Sequence, residues 1–214
     1  MPELGLFGLY MVVFLFSLSL HEMAHAWTAE RFGDPTARYQ GRVTLNPLPH
    51  IDVFGTLIFP AIGFFTGGIM FGWAKPVQWN PLHVKDRRKA DIWISAAGPI
   101  SNVLALFGFA IIFKLFRAYA AGGGNIDSDV MQPLIAMSVM GIKLNVILAV
   151  FNMLPIPPLD GSYILPYFLP TGMASTYEQL RPYGFIILIG CLYLGVLEYV
   201  LAPFWGVVQF ILLS

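Results

Sequence analysis

The sequence predicts an all-α polytopic membrane protein with about four spanning helices, one re-entrant or additional spanning segment, and short membrane-associated β-strands. Three observations predict it. The chain is 57% hydrophobic and only 11% charged, whereas soluble domains carry about 25% charged residues; its mean hydropathy is +0.70. The apolar residues are gathered into runs long enough to cross a bilayer. Basic residues fall mainly between those runs, as in cytoplasmic loops. No repeat, low-complexity tract or linker divides residues 1–214, so one domain is expected.

Residues 4–29 form the first spanning segment, with no charge before His21. Arg31, Arg38 and Arg42 follow at once, which puts this end in the cytoplasm and the N-terminus outside. The N-terminus lacks a basic n-region and its apolar run exceeds an h-region, so it is not read as a cleavable signal. Gly33-Asp34-Pro35 is a turn, residues 37–45 read as a short strand or hairpin, and Asn46-Pro47-Leu48-Pro49 ends it. The apolar stretch 51–73 is flanked on both sides by basic loops. Positive-inside counting therefore favours a re-entrant or bent segment, turned by Pro60, Gly63 and the Gly67-Gly68 pair. A plain spanning helix is the alternative. Residues 75–81 read as loop with extended structure.

Residues 92–116 form a strong spanning helix, with Ala97 and Gly98 allowing close helix contact. The loop 122–129 is glycine-rich and acidic, as expected outside. Residues 133–154 return to the cytoplasmic side, bearing Lys143, Asn145 and Asn152. Five prolines between 155 and 170 break regular helix near Pro155–Pro158. After Arg181-Pro182 an apolar run crosses outward, with Gly184, Gly190, Gly195 and Pro203 as bend points and Glu198 near the far interface.

Composition also narrows the chemistry. Net charge is zero and the one basic cluster, Lys85–Lys89, suits a membrane-side loop, so no nucleic-acid partner is expected. The single cysteine, Cys191, excludes an intrachain disulfide framework and a cysteine-based metal site. Against this apolar background, His21-Glu22-Met23-Ala24-His25 stands out. A helix places His21 and His25 one turn apart on one face with Glu22 beside them, the H-E-x-x-H arrangement of zinc peptidases. A helix end at the lipid headgroups is the plainer reading. A charged group at mid-bilayer costs about 2.5–3.5 kcal/mol on insertion scales, so ionisable groups inside an apolar run default to function.

Two histidines leave zinc short of the three protein ligands used by catalytic sites. His50, Asp34, Asp52, Glu30 and Asp160 are the candidates for the third. Asp160 is favoured, because it lies in a proline-broken stretch among apolar residues, at a depth the returning helix brings to His21, where a carboxylate needs a cation. Its alternative is an ordinary turn aspartate before Gly161.

Together these residues resemble the site-2 protease family of intramembrane zinc metalloproteases, in a compact form without a PDZ domain. Three motifs occur in the family's order: His21-Glu22-x-x-His25, then Ala97-Gly98-Pro99 with Asn102, then Asn152-x-x-Pro155 with Leu159-Asp160-Gly161. The resemblance implies that His21, His25 and Asp160 bind one zinc ion per chain, that Glu22 is the general base, and that Asn152 holds the substrate or the oxyanion. It also implies a strand near the site, at 37–45 or 70–79, that pairs with an extended substrate. The stretch 51–73 is an addition relative to the smallest members, and His50 has no assigned role. The expected activity is hydrolysis of peptide bonds in transmembrane or juxtamembrane segments. The partners are then a membrane-protein substrate and the lipid bilayer, with self-association left open. The expected location is a prokaryotic cytoplasmic membrane, with the site near the cytoplasmic side. A membrane-bound zinc hydrolase of soluble peptides, and a non-enzymatic metal-binding scaffold or transporter, are the alternatives.

Overall fold

The computed structural model describes residues 3–67 and 72–213. In chain order its α-helices are α1 (Glu3–Arg31), α2 (Thr36–Tyr39), α3 (Phe59–Phe65), α4 (Arg87–Ala121), α5 (Met131–Asn152), α6 (Gly161–Ile164), α7 (Thr171–Glu178), α8 (Gly184–Tyr193) and α9 (Val196–Leu213). Four of them, α1, α4, α5 and α9, are long and apolar enough to cross a membrane.

The first helix buries Tyr10, Phe14, Ser17, Leu18, His21, His25 and Ala29, a stripe repeating every three or four residues. Its opposite side leaves Val12 and Phe16 exposed, and α4 likewise exposes Leu104, Phe107, Ile111 and Leu115, surfaces suited to lipid. The buried stripe packs on α4 and α5. The Asp86 carboxylate caps α4 by accepting from the Lys89 N–H at 3.1 Å. Farther along, Leu106 and Ala110 of α4, Ile142 and Val146 of α5 and Val208 of α9 form one core cluster. Arg117 Nη1 donates to the Leu212 carbonyl at 3.1 Å, so α9 ends beside the far end of α4. The C-terminal end of α1, the first half of α4 and the C-terminal end of α5 thus meet at one end of the bundle.

The expected short β-strands, at 37–45 or 70–79, are not formed among the described residues. Within 37–45 the chain makes the helical turn α2 instead. Asp34 Oδ1 accepts from the Thr36 N–H at 3.1 Å, the Arg42 N–H returns to the Ala37 carbonyl at 2.9 Å, and Gly41 supplies a positive φ of 68°. Local side-chain bonding closes a turn where no neighbouring strand is available. Of the other strand, residues 70 and 71 lie outside the described residues. Residues 72–79 bond to scattered loop groups, Trp73 N–H to the Gly55 carbonyl at 3.1 Å and Lys75 N–H to the His50 carbonyl at 2.9 Å, so no ladder forms.

Among its described residues, the stretch 51–73 is helical over Val53–Phe65, well short of the roughly 20 residues a crossing needs. The Asp52 carboxylate caps it by accepting from the Gly55 N–H at 2.8 Å, and Val53–Ile58 is a π-helix. Pro60 and Gly63 sit inside the helical run rather than turning it. The turn comes at Gly67, whose φ is 67°, while Gly68 lies outside the described residues. Trp73 then reaches back to Gly55, so the chain doubles back on itself rather than running straight. At the C-terminus the break between α8 and α9 falls at Gly195 (φ 71°), whereas Gly184 opens α8, Gly190 lies within it and Pro203 lies within α9.

Candidate active site

His21 and His25 lie one turn apart on α1, with their Nε2 atoms 3.0 Å from each other. Each ring is oriented from behind by α4. His21 Nδ1–H donates to Asn102 Oδ1 at 2.6 Å, and His25 Nδ1–H donates to the Ile94 carbonyl at 2.6 Å. With both protons held at Nδ1, both Nε2 lone pairs point inward, the arrangement a metal-binding imidazole requires. Asp160 Oδ2 lies 3.2 Å from His21 Nε2 and 3.4 Å from His25 Nε2, and this buried oxygen accepts no hydrogen bond. Three potential ligand atoms, two imidazole nitrogens and one carboxylate oxygen, therefore converge. A divalent cation resolves that juxtaposition, and two imidazoles with one carboxylate fit zinc with a coordination position left for water.

Close approach of α4 is permitted by Gly98. A Cβ there would lie 2.5 Å from His21 Cε1 and 2.6 Å from His21 Nε2, so any side chain would enter the cluster. Asn102 is fully buried and fully engaged: its Nδ2 donates to Asn145 Oδ1 at 2.8 Å and to the Ser17 carbonyl at 3.3 Å. Asn145 Nδ2 donates in turn to Ser17 Oγ at 2.9 Å and to the Gly141 carbonyl at 2.9 Å. This network ties α1, α4 and α5 together behind His21.

Asp160 is carried on the broken chain after α5. A Cβ on Gly161 would lie 2.6 Å from the Met153 carbonyl carbon and 2.7 Å from the Leu154 oxygen, so glycine lets the turn close beneath the carboxylate. The stretch is braced from both sides. Tyr177 Oη–H donates to the Pro155 carbonyl at 3.0 Å, Arg88 Nη2 donates to the Tyr167 carbonyl at 2.9 Å, and the Tyr167 hydroxyl donates to the Asp91 carboxylate.

Glu22 is buried beside the histidines and accepts from the Val77 N–H at 3.1 Å. Asn152 stands in the wall of the same cavity, but its Nδ2 donates to the Leu148 carbonyl of its own helix at 2.9 Å. The cavity encloses about 690 Å³ and is lined by His21, Glu22, His25, Asp160 and much of the segment 72–79.

The other ligand candidates are engaged elsewhere. Glu30 pairs with Arg38, and Asp52 caps the helix at Val53. His50 is fully buried with Nε2–H donating to the Thr44 carbonyl at 3.0 Å, while its Nδ1 has no hydrogen-bond partner. Asp34 accepts from His83 Nδ1 at 2.7 Å, the Asn80 N–H at 2.6 Å and the Thr36 hydroxyl at 2.5 Å. Burial alone would raise the Asp34 carboxyl, but these bonds outweigh it and hold it below the usual carboxylate range. Among the described residues, His21, His25 and Asp160 are the one group of three His, Cys, Asp or Glu side chains placed to share a metal ion.

The sequence did not reveal the parts of Ser17, Asn145 and the Ile94 carbonyl, nor what Asn102 does. The available signal was polar side chains on the apolar faces of long helices, which must find partners.

Relatives of this chain carry the name "Putative zinc metalloprotease". YwhC of Bacillus subtilis is 38% identical over 201 residues, covering 94% of this chain and 87% of its own. Rip2 of Mycobacterium tuberculosis (strain H37Rv) is 30% identical over 213 residues, covering 97% and 74%. MJ0611 of Methanocaldococcus jannaschii is 36% identical over 150 residues, covering 69% and 63%. No family model and no solved structure gives a significant match. The converging histidine–carboxylate cluster and the identity spanning nearly the whole chain agree, and the chain belongs to the zinc metalloprotease family of YwhC and Rip2.

Proposed function

We propose that the chain is an intramembrane endopeptidase of the site-2 protease type, hydrolysing peptide bonds in transmembrane or juxtamembrane segments of membrane proteins. The observation that carries this reading is the His21–His25–Asp160 cluster, set where three long apolar helices converge and open to a cavity lined in part by the segment 72–79. Lewis acidity toward a water and toward the scissile carbonyl is what zinc supplies to such a site when bound.

The remaining work falls to the chain. Glu22, adjacent to the ligands and facing the cavity, takes a proton from the attacking water as the new C–O bond forms. It passes that proton to the leaving nitrogen as the C–N bond breaks. Asn152, once turned from the Leu148 carbonyl, donates its amide to the carbonyl oxygen as charge builds there. A transmembrane substrate arrives as a helix whose backbone is internally bonded, so unwinding it requires replacement partners. The segment 72–79 offers them, binding the substrate as an added extended strand.

The proposed setting is a prokaryotic cytoplasmic membrane with the N-terminus outside and the site near the cytoplasmic surface. Arg31, Arg38, Arg42 and the Lys85–Lys89 cluster, all close in sequence to the site-bearing ends of α1 and α4, support that orientation.

The test is cleavage of a panel of single-span proteins in proteoliposomes by wild type and Glu22→Gln in parallel, with soluble peptides as a second panel. Products are expected from embedded substrates with wild type alone, at equal zinc content in both proteins. A zinc-loaded Glu22→Gln protein that still cleaves them overturns the mechanism. Cleavage confined to soluble peptides replaces the substrate class.

A further inference from the structure

Glu22 Oε2 accepts the Val77 N–H at 3.1 Å, and among the described residues no other hydrogen bond reaches this carboxylate. Oε1 is left for the cavity that Glu22 lines. The general base proposed above thus takes its orientation from a single backbone amide. That amide lies 55 positions away, in a stretch without regular secondary structure.

Val77 is placed by a row of bonds that ends on Glu22. The Trp73 N–H donates to the Gly55 carbonyl at 3.1 Å and the Lys75 N–H to the His50 carbonyl at 2.9 Å. With the Val77 N–H, three alternate amides point to one edge, and Glu22 is the third acceptor along it. Two buried side chains clamp the same residues. Thr56, fully buried, donates its hydroxyl to the Trp73 carbonyl at 2.9 Å and accepts from the Asp52 N–H at 3.0 Å. Arg42, 6% exposed, donates Nη1 to the Lys75 carbonyl at 2.9 Å. Among the described residues Arg42 makes no ion pair. Burying a guanidinium without a counter-charge costs stability, and a neutral donor would satisfy the same carbonyl. Stability alone therefore does not account for a cation here.

We propose that Arg42 and Thr56 are positioning residues for the general base. By fixing the carbonyls of Lys75 and Trp73 they set the Val77 amide, which holds Glu22 Oε2 and leaves Oε1 turned to the water it deprotonates. Neither residue lines the cavity, so both act through the segment 73–77. Loss of either bond lets Val77 shift and the carboxylate swing, while His21, His25 and Asp160, carried on α1 and on the chain after α5, stay in place. This inference deepens the peptidase reading and rests on it.

The test compares Thr56→Val and Arg42→Met, which delete the donors, with Thr56→Ser, which keeps the hydroxyl, in the full chain. The first readout needs no substrate. In detergent-solubilised protein labelled at valine nitrogen for NMR, the Val77 amide is assigned by its absence in Val77→Ile. It is expected to move upfield in both deletion variants, as the bond to Glu22 weakens, and to stay in place in Thr56→Ser. An unmoved Val77 amide in both deletion variants overturns the proposal. The second readout is cleavage of a single-span protein in proteoliposomes at equal zinc content. In the deletion variants kcat is expected to fall about 10–100-fold, the scale of a misplaced catalytic group, with KM unchanged. Thr56→Ser is expected to keep the wild-type kcat. A raised KM at wild-type kcat overturns the proposal by making the segment a substrate clamp alone. Loss of zinc from both deletion variants overturns it by making Arg42 and Thr56 scaffold residues. If wild type cleaves no membrane substrate, the peptidase reading fails, and the Val77 amide still decides whether Arg42 and Thr56 hold Glu22.

Discussion

The Nδ1–H of His21 is held by Asn102 Oδ1 at 2.6 Å, a side-chain bond that joins α1 to α4 inside an apolar bundle. It dictates the histidine tautomer and hence the direction of the Nε2 lone pair.

Removing that acceptor therefore acts on the metal before it acts on the chemistry. Asn102→Ala is expected to weaken zinc binding about 10–100-fold, the usual effect of losing a ligand's orienting partner. Asn102→Asp keeps an acceptor oxygen facing His21 and is expected to retain more affinity. Competition with a fluorescent zinc chelator measures both.

Gly98→Ala tests the helix approach behind the cluster. Its Cβ would sit 2.6 Å from His21 Nε2, so α4 must withdraw or the ring must turn. Overpacking of this kind costs about 1–3 kcal/mol. A lower thermal midpoint together with loss of stoichiometric zinc is expected. Wild-type values for both would show that the contact yields freely.

Zinc removal should register as stability. A ligand bound only by the native state at a thousandfold excess over Kd contributes about 4 kcal/mol. Chelation is thus expected to lower the unfolding midpoint of the wild type and to leave that of Asp160→Asn nearly unchanged. Differential scanning of detergent-solubilised protein, with and without chelator, makes the comparison.

Acid sensitivity is expected from Asp34, which lies outside the spanning helices. Its carboxyl is held below the usual range, so the folded state binds its proton less readily than the unfolded chain. The stabilisation is fully present above the unfolded value of ~3.9 and is lost as pH falls through the lower folded value. In this window Asp34→Asn is expected to show a shallower loss of stability than wild type, because the amide does not titrate. Acid-unfolding curves followed by tryptophan fluorescence test it.

What was legible in the sequence follows from local rules. Apolar runs reveal spanning helices because a bilayer rewards length and hydropathy whatever the packing, and α1, α4, α5 and α9 lie where those runs lie. The spacing of His21 and His25 defines a shared helix face before any fold exists. Asp160 was favoured because a carboxylate in apolar, proline-broken surroundings needs a partner.

The tertiary structure decided the rest. The sequence predicts a strand near the site at 37–45 or 70–79, yet a strand is a pairing between segments, and no single segment carries its partner. Residues 37–45 closed a helical turn against Asp34, and the extended run from Gly72 onward found Glu22, His50 and Gly55 instead of a ladder. The bond between His21 and Asn102 spans 81 positions, and the passage of Gly98 over the histidines depends on how closely α4 lies to α1. By itself, the sequence determined where the long apolar helices lie and that His21 and His25 share one helix face, because those depend on hydropathy and helical period. Only the packing of α1, α4 and α5 decided how the imidazoles point, because the Asn102 and Ile94 acceptors lie on a segment far away in the chain and have no local signature.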